Sequence, residues 1–402
     1  MVVPVAAALI LTLASQTVGP DDRTRAVDLA RGGRTAEALA LFEQIVSAHP
    51  DDVDARLWLA RLDLRLGRIE RSEAGFRAVL QDHPSDVDAH IGLGGVLIRR
   101  GAWQEALDEL RDVEPAAGEN ADLFAVLARA YRRGGDDRHA LEYLRRAKAL
   151  SPLDTDIAHD YEDTAQAYGH SVSFEGFAQQ VSPSTNTGSA TLAAAFRVAP
   201  PVRLGVTYRV QHNASVNETI GGGGLEWRVN RLTTFTAYAL GGPGNISLPT
   251  GDVSTDTIHY AGAFELGAGL RVLSFNGVGV IAASPTFAWD RGGRWRLDTR
   301  YTYSHSSFHA TGRTSNDSSA LLRATWRRWW RFNVNVGYAY GIESYEDLTR
   351  DRVSALGAHT LAGGLRIRTP SLTQVFATWE HQWRSNDTTM DRLTVTVMRS
   401  FP

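Results

Sequence analysis

Four glycines recur at a single interval: Gly33, Gly67, Gly101 and Gly135 stand 34 residues apart. The residues around them keep the same step. Ala38, Ser72, Ala106 and Ala140 follow the glycines, then Phe42, Phe76, Leu110 and Leu144. Ala26, Ala60, Gly94 and Ala128 precede them, and Pro50, Pro84 and Pro152 close the first, second and fourth units, with Gly118 in the third. A fixed period of this length marks one supersecondary unit copied along the chain, each copy burying its apolar face only against its neighbours. Small residues on both helices of a pair allow close approach. The glycine permits the turn between them, and the proline ends the second helix.

This pattern resembles the tetratricopeptide repeat, over residues 22–157, and implies four helical hairpins in an α-solenoid. The stretch "LDTDIAHDYEDTAQAYG" (153–169) reads as one further helix, polar outside, so residues 153–170 are expected to serve as cap and linker. Repeats of this type bind partners in a groove lined by their first helices. Carrying repeat positions across places Arg61, Arg65, Arg99, Arg129, Arg132 and Arg133 on or near that groove. A basic groove suits an acidic periplasmic protein segment or an anionic polymer. The competing expectation is that these arginines pair with Asp54, Asp88 and Asp122.

From Ser171 the period changes to two, the signature of strands with one apolar face. "VRLGVTYRVQ" sets Val202, Leu204, Val206, Tyr208 and Val210 against Arg203, Thr207, Arg209 and Gln211; "RWRLDTRYTY" and "RFNVNVGYAYGI" repeat the theme. Short connections ("APP" 199–201, "RGG" 291–293, "RRWW" 327–330, "TPS" 369–371) alternate with polar stretches expected to be long loops (241–256, 306–317 and 343–357). That alternation, long strands and aromatic residues near strand ends describe an outer-membrane barrel. About twelve strands are expected, the count being even in single-chain barrels.

Repeats followed by such a barrel resemble the YaiO family of outer-membrane proteins. "FELGAGLRVLSF" (264–275), "SPTFAWDRGGRWRLDTRYTYS" (284–304) and "SSALLRATWRRWWRFNVNVGYAYG" (318–341) carry the likeness, which extends over 171–402. The resemblance implies location and architecture rather than an activity. The closing "DRLTVTVMRSFP" places Leu393, Val395, Val397 and Phe401 in one row, as in a final strand read by the barrel assembly machinery, with Arg399 breaking the row near the rim.

The fold expected is therefore α + β and multidomain: a leader (1–20), four repeats (22–157), cap and linker (153–170) and a transmembrane β-barrel (171–402). The apolar run Val2–Ala14 is too short to span a bilayer as a helix and suits an export signal, although no basic residue precedes it. A net charge of −3 gives no reason to expect nucleic acid as a partner, and the absence of cysteine excludes disulfides, thiolate metal sites and lipidation at an N-terminal Cys. If the apolar strand faces meet lipid, Arg203, Arg209, Arg294, Arg296, Arg300, Arg323 and Arg366 face the lumen. They either favour anions there or pair with acids such as Asp298 and Glu380. "SHSSFH" offers His305 and His309 near Asp298, but nothing in the spacing builds a nucleophile–base pair. No enzyme, metal or cofactor is expected. Two roles remain: transport or export across the outer membrane, with an anionic glycan as one cargo, or a non-conducting anchor whose periplasmic repeats organise an envelope complex.

Overall fold

The computed structural model describes residues 20–182, 185–213, 216–329, 331–341 and 357–402. The leader expected over 1–20 thus lies outside the described residues, Pro20 apart. Two compact units follow, Met1–Pro152 and Leu153–Pro402.

The first unit contains α1 (Pro20–Arg31), α2 (Thr35–Ala48), α3 (Val53–Arg65), α4 (Ile69–Asp82), α5 (Val87–Arg100), α6 (Trp103–Ala117), α7 (Ala121–Gly134) and α8 (Asp137–Leu150). They pair as α1/α2, α3/α4, α5/α6 and α7/α8, the four hairpins read from the repeat. Gly101 and Gly135 end α5 and α7 with φ of 84° and 81°, a left-handed geometry that side-chain-bearing residues adopt only at a cost. Asp52, Asp86 and Asn120 cap α3, α5 and α7 by accepting from the backbone N–H groups of Ala55, Ala89 and Leu123. The periodic residues form the core: Ala26, Ala38, Ala60, Phe42, Phe76 and Leu110 are all buried. Gly94 is required by contact, because a Cβ there would meet the Leu110 side chain at 2.8 Å. Ser72 replaces alanine at no loss, its hydroxyl donating to the Ala60 carbonyl at 2.8 Å.

The second unit opens with α9 (Thr155–Tyr168) and continues as an antiparallel sheet: β1 (His170–Ser182), β2 (Thr185–Ala199), β3 (Val202–Asn213), β4 (Val216–Arg228), β5 (Thr233–Gly241), β6 (Gly251–Ala261), β7 (Phe264–Phe275), β8 (Val278–Arg291), β9 (Trp295–Phe308), β10 (Arg313–Trp329), β11 (Phe332–Gly341), β12 (Ala358–Arg368), β13 (Thr373–Arg384) and β14 (Thr389–Phe401). Each strand pairs with the next, and β1 pairs with β14 from His170↔Phe401 to Ser182↔Thr389, so the sheet closes into a barrel. Fourteen strands stand where about twelve were expected. The reason is that polar stretches expected to be loops belong in part to strands. Of the expected long loops, 306–317 is strand, a four-residue turn and strand again, and 251–256 belongs to β6. Residues 342–356 lie outside the described residues.

The apolar face points outward. Leu204, Val206 and Tyr208 on β3, and Leu393, Val395, Val397 and Phe401 on β14, are all exposed. Arg399 shares that outer face, its guanidinium 5.6 Å from the Phe401 ring. The β4 glycines allow aromatic cover inside: a Cβ on Gly224 would collide with the Tyr238 ring on β5. None of the described helices is long and apolar enough to cross a membrane, which leaves strands untouched as a means of crossing.

Candidate functional site

In the repeat unit the first helices of successive hairpins are neighbours, α3 against α5 and α5 against α7. Residues at one repeat position therefore line up from helix to helix. Arg65, Arg99 and Arg133 occupy such a position, each exposed in the last turn of its helix. Arg31 extends the row to α1 and was not singled out by sequence, although the 34-residue step alone would have found it. Arg65 also donates to the Ala30 carbonyl at 3.1 Å, which ties it to the preceding hairpin. Arg61 is engaged by Asp88 at 3.0 Å and lies 5.8 Å from the Trp58 ring, so for this residue pairing prevails. Arg129 is half-buried, and Arg132 is exposed beside Arg133. Behind the row, Asp63 is buried against Arg71 (2.9 Å) and Arg68 (3.4 Å). Burial pushes its carboxyl up and outweighs the two arginines, which pull it down.

Inside the barrel several of the arginines are met by acids. Arg203 reaches Glu226 at 3.4 Å and Ser171 at 3.0 Å. Arg209 donates to Thr191 at 3.1 Å and lies 3.9 Å from Glu175. Arg296 sits between Asp298 (2.6 Å) and Glu265 (3.0 Å). Arg366 donates to Gln374 at 2.8 Å and covers the Phe376 ring. Arg300 and Arg323 hold inward positions by alternation, with Arg323 opposite Asp298 in register. Arg294 is the exception. It lies exposed in the turn before Trp295, where no strand register aims it inward. Sequence reading also missed the Arg271–Asp252 pair, bidentate at 2.9 and 2.7 Å. The interior is thus a network of charge pairs rather than a ladder of cations.

Two elements narrow the lumen. At the end away from α9, the distal end, the loop between β5 and β6 is held by one carboxylate. Glu218, itself buried, accepts from the backbone N–H groups of Ile246, Ser247 (2.8 Å) and Leu248 (3.0 Å) and from the Ser247 hydroxyl. That grip brings Leu248 into a small pocket with Arg209 and Arg271. Around it the inward side chains are packed: Arg392 donates to Gln179 at 2.6 Å, Met390 is fully buried, and Leu273, Phe275, Val278 and Val280 form an apolar cluster. Midway, Asp256 and Arg323 are inward yet exposed, so water reaches that level.

At the proximal end lies α9. Arg331 donates to Glu162 at 3.4 Å and Arg368 to Asp163 at 2.6 Å. Arg197 donates to the Tyr168 and Ala167 carbonyls at 2.7 and 2.8 Å, a cation at a helix C-terminus. The acids of this helix were expected on its polar outer side, yet Glu162 is only 1% exposed. Arg331 comes from the turn before β11, which no local pattern connects to the helix.

"SHSSFH" makes no catalytic constellation. His305 faces outward and pairs with Asn316 at 2.8 Å, while Asp298 faces inward and His309 lies in a turn.

Models of the tetratricopeptide repeat match residues 29–78 and 59–122. No curated protein matches the chain. Among solved structures it is similar to TTC0263, a thermophilic repeat protein of this type from Thermus thermophilus. The identity is 23%, covering 37% of this chain and 81% of that one, with a TM-score of 0.35. MamA from Desulfovibrio magneticus is similar at 22% identity, covering 37% and 85%, with a TM-score of 0.30. The class is therefore an array of tetratricopeptide repeats joined to a closed antiparallel β-barrel. Repeats of this kind mediate protein–protein interaction, and the first unit is assigned that role.

Proposed function

We propose that this chain is exported and that its barrel sits in the outer membrane of a Gram-negative envelope, in the manner of the YaiO family it resembles. The barrel is a fixed anchor, placed there by the barrel assembly machinery. The repeats recruit a periplasmic partner whose recognised segment is acidic, or an anionic polymer. What supports the membrane is the exposed apolar exterior of a closed barrel over a charged interior, a surface that water-soluble proteins avoid at this extent. What supports the anchor over the exporter is the packed distal lumen, filled by Met390, the Arg392–Gln179 pair and the Leu273 cluster. What supports the acidic partner is the row Arg31, Arg65, Arg99 and Arg133.

Planar-bilayer recording separates the two roles. The purified protein should insert without steady ion conductance; a stable open channel would overturn the anchor reading and restore transport or export. For the repeats, envelope crosslinking should recover a partner with the native chain and lose it with Arg65→Glu/Arg99→Glu/Arg133→Glu. Equal recovery from both would remove the arginine row from the interface.

A further inference from the structure

The distal rim of the barrel exterior is not uniform. On β4, β5 and β8 its outward positions are small or polar, such as Asn217, Thr219, Ala239 and Gly279. On β11 to β13 they are Tyr340, His359, Trp379, His381 and Trp383. Strand register joins these into rows. One row across β9 to β13 reads Tyr301, Ala320, Tyr340, His359, Trp383. The row beneath it, from β10 to β13, reads Leu322, Tyr338, Leu361, His381.

Ala320 is the small member between two tyrosines, and the missing volume leaves a groove of about 470 Å³. Phe287, Tyr301, Leu322, Tyr338 and Tyr340 line it. At its distal side the polar groups are held in fixed orientation. The Tyr338 hydroxyl and His359 Nδ1 share a hydrogen bond of 2.6 Å, and His381 Nδ1–H donates to Asp391 at 2.9 Å. Tyr340 lies 4.9 Å from the His359 ring, and Trp383 meets the edge of His381 at 4.4 Å. Both imidazoles therefore spend Nδ1 within the protein and turn Nε2 to the surroundings.

An imidazole turned toward hydrocarbon would lose its water with no replacement, so these rings belong at headgroup depth. Tryptophan and tyrosine, apolar in body and polar at one end, suit the same depth. The groove below is apolar and continues into the lipid-facing band, through Val336 and Leu361 on β11 and β12. A polar, aromatic shelf above an apolar trough matches a molecule with a hydroxyl-bearing head and an acyl chain. Flat rings pack against the C–H faces of sugars, and the Nε2 atoms hydrogen-bond their hydroxyls.

We propose that the β8–β13 sector is a binding site for a membrane lipid with a sugar headgroup, its chain in the Ala320 groove and its sugar on His359, His381 and Trp383. This depends on the barrel lying in the membrane, as set out above. Continuity of the groove with the apolar band favours a lipid over a soluble sugar.

The test uses the full-length protein in nanodiscs containing a phosphorylated diglucosamine lipid and phosphatidylethanolamine in equal amounts, released into detergent and weighed by native mass spectrometry. The wild-type protein should retain about one glycolipid. His359→Ala/Trp383→Ala should lower that occupancy roughly tenfold by removing the shelf. Ala320→Trp should do so by filling the groove. Both variants are scored only for heat-modifiable, folded barrel, and Ala320→Leu replaces Ala320→Trp if the larger ring prevents folding. Equal retention of glycolipid by all variants, or retention of phosphatidylethanolamine in its place, overturns the site. Fractionation of the same cells keeps the two readings apart. Protein found outside the membrane defeats the anchor, whereas membrane-bound protein without retained glycolipid defeats only this proposal.

Discussion

The two units solve opposite packing problems. In the repeats, apolar residues face inward at helical spacing, and Phe42, Phe76 and Leu110 disappear between neighbouring helices. In most of the barrel they face outward at a spacing of two, while glutamines, serines and arginines share the middle with the Leu273 cluster. The repeats draw stability from local burial, each hairpin resting on the next. The barrel draws its order from a closed ladder of backbone hydrogen bonds, complete only when β1 meets β14. A chain can thus carry two inverted hydrophobic patterns because each belongs to a separate unit with its own architecture.

The sharpest way to break this comparison is a core truncation in one unit alone. Phe76→Ala empties a fully buried site in α4 and should cost about 3–5 kcal/mol. Helical circular dichroism should melt at lower temperature, while the heat-modifiable barrel stays unchanged on gels. Loss of both signals together would mean the units do not behave independently. A smaller effect is expected from Arg331→Ala, which strips a cation from buried Glu162 and should cost about 1–3 kcal/mol at α9. Limited proteolysis should then cut within 153–168 faster than in the wild type, and an unchanged cleavage rate would show that the ion pair does not hold the helix.

The smallest effect distinguishes the units by pH. Tyr143, on α8, donates to Glu114 at 3.1 Å. Burial, followed by the hydrogen bond and charge of Glu114, pushes its hydroxyl up to about 12. Because the folded value lies above the unfolded one of about 10, the stabilisation is complete below pH 10 and is lost as pH rises through about 12. Tyr143→Phe should cost about 1 kcal/mol at neutral pH and flatten the alkaline decline of the repeat melt. An equally steep decline in the variant would assign that titration to another group.

The helical fold was legible because each periodic residue has one local task, such as Gly94 under Leu110 or Gly101 at a left-handed turn. The barrel was legible as a barrel, but not its strand number, since polar stretches such as 251–256 and 313–317 look alike in strand and in loop. Arg203, Arg209 and Arg296 were picked out by parity alone and lie in strands beside polar or acidic partners, whereas Arg294 lies in a turn, where parity has no meaning. Glu218 and its loop, and Glu162 with Arg331, were not legible. Their partners are 28 and 169 residues away, and only the tertiary fold brings them together.

The seam between β1 and β14 also sets an order of events. Each helical hairpin has its contacts within a few dozen residues and can mature as soon as it has been synthesised. The barrel's first strand must instead wait, edge unpaired, for a partner more than two hundred residues downstream. During that interval thirteen successive strands exist without a closed ring. A finished repeat array would therefore precede a closed barrel by the whole length of that wait.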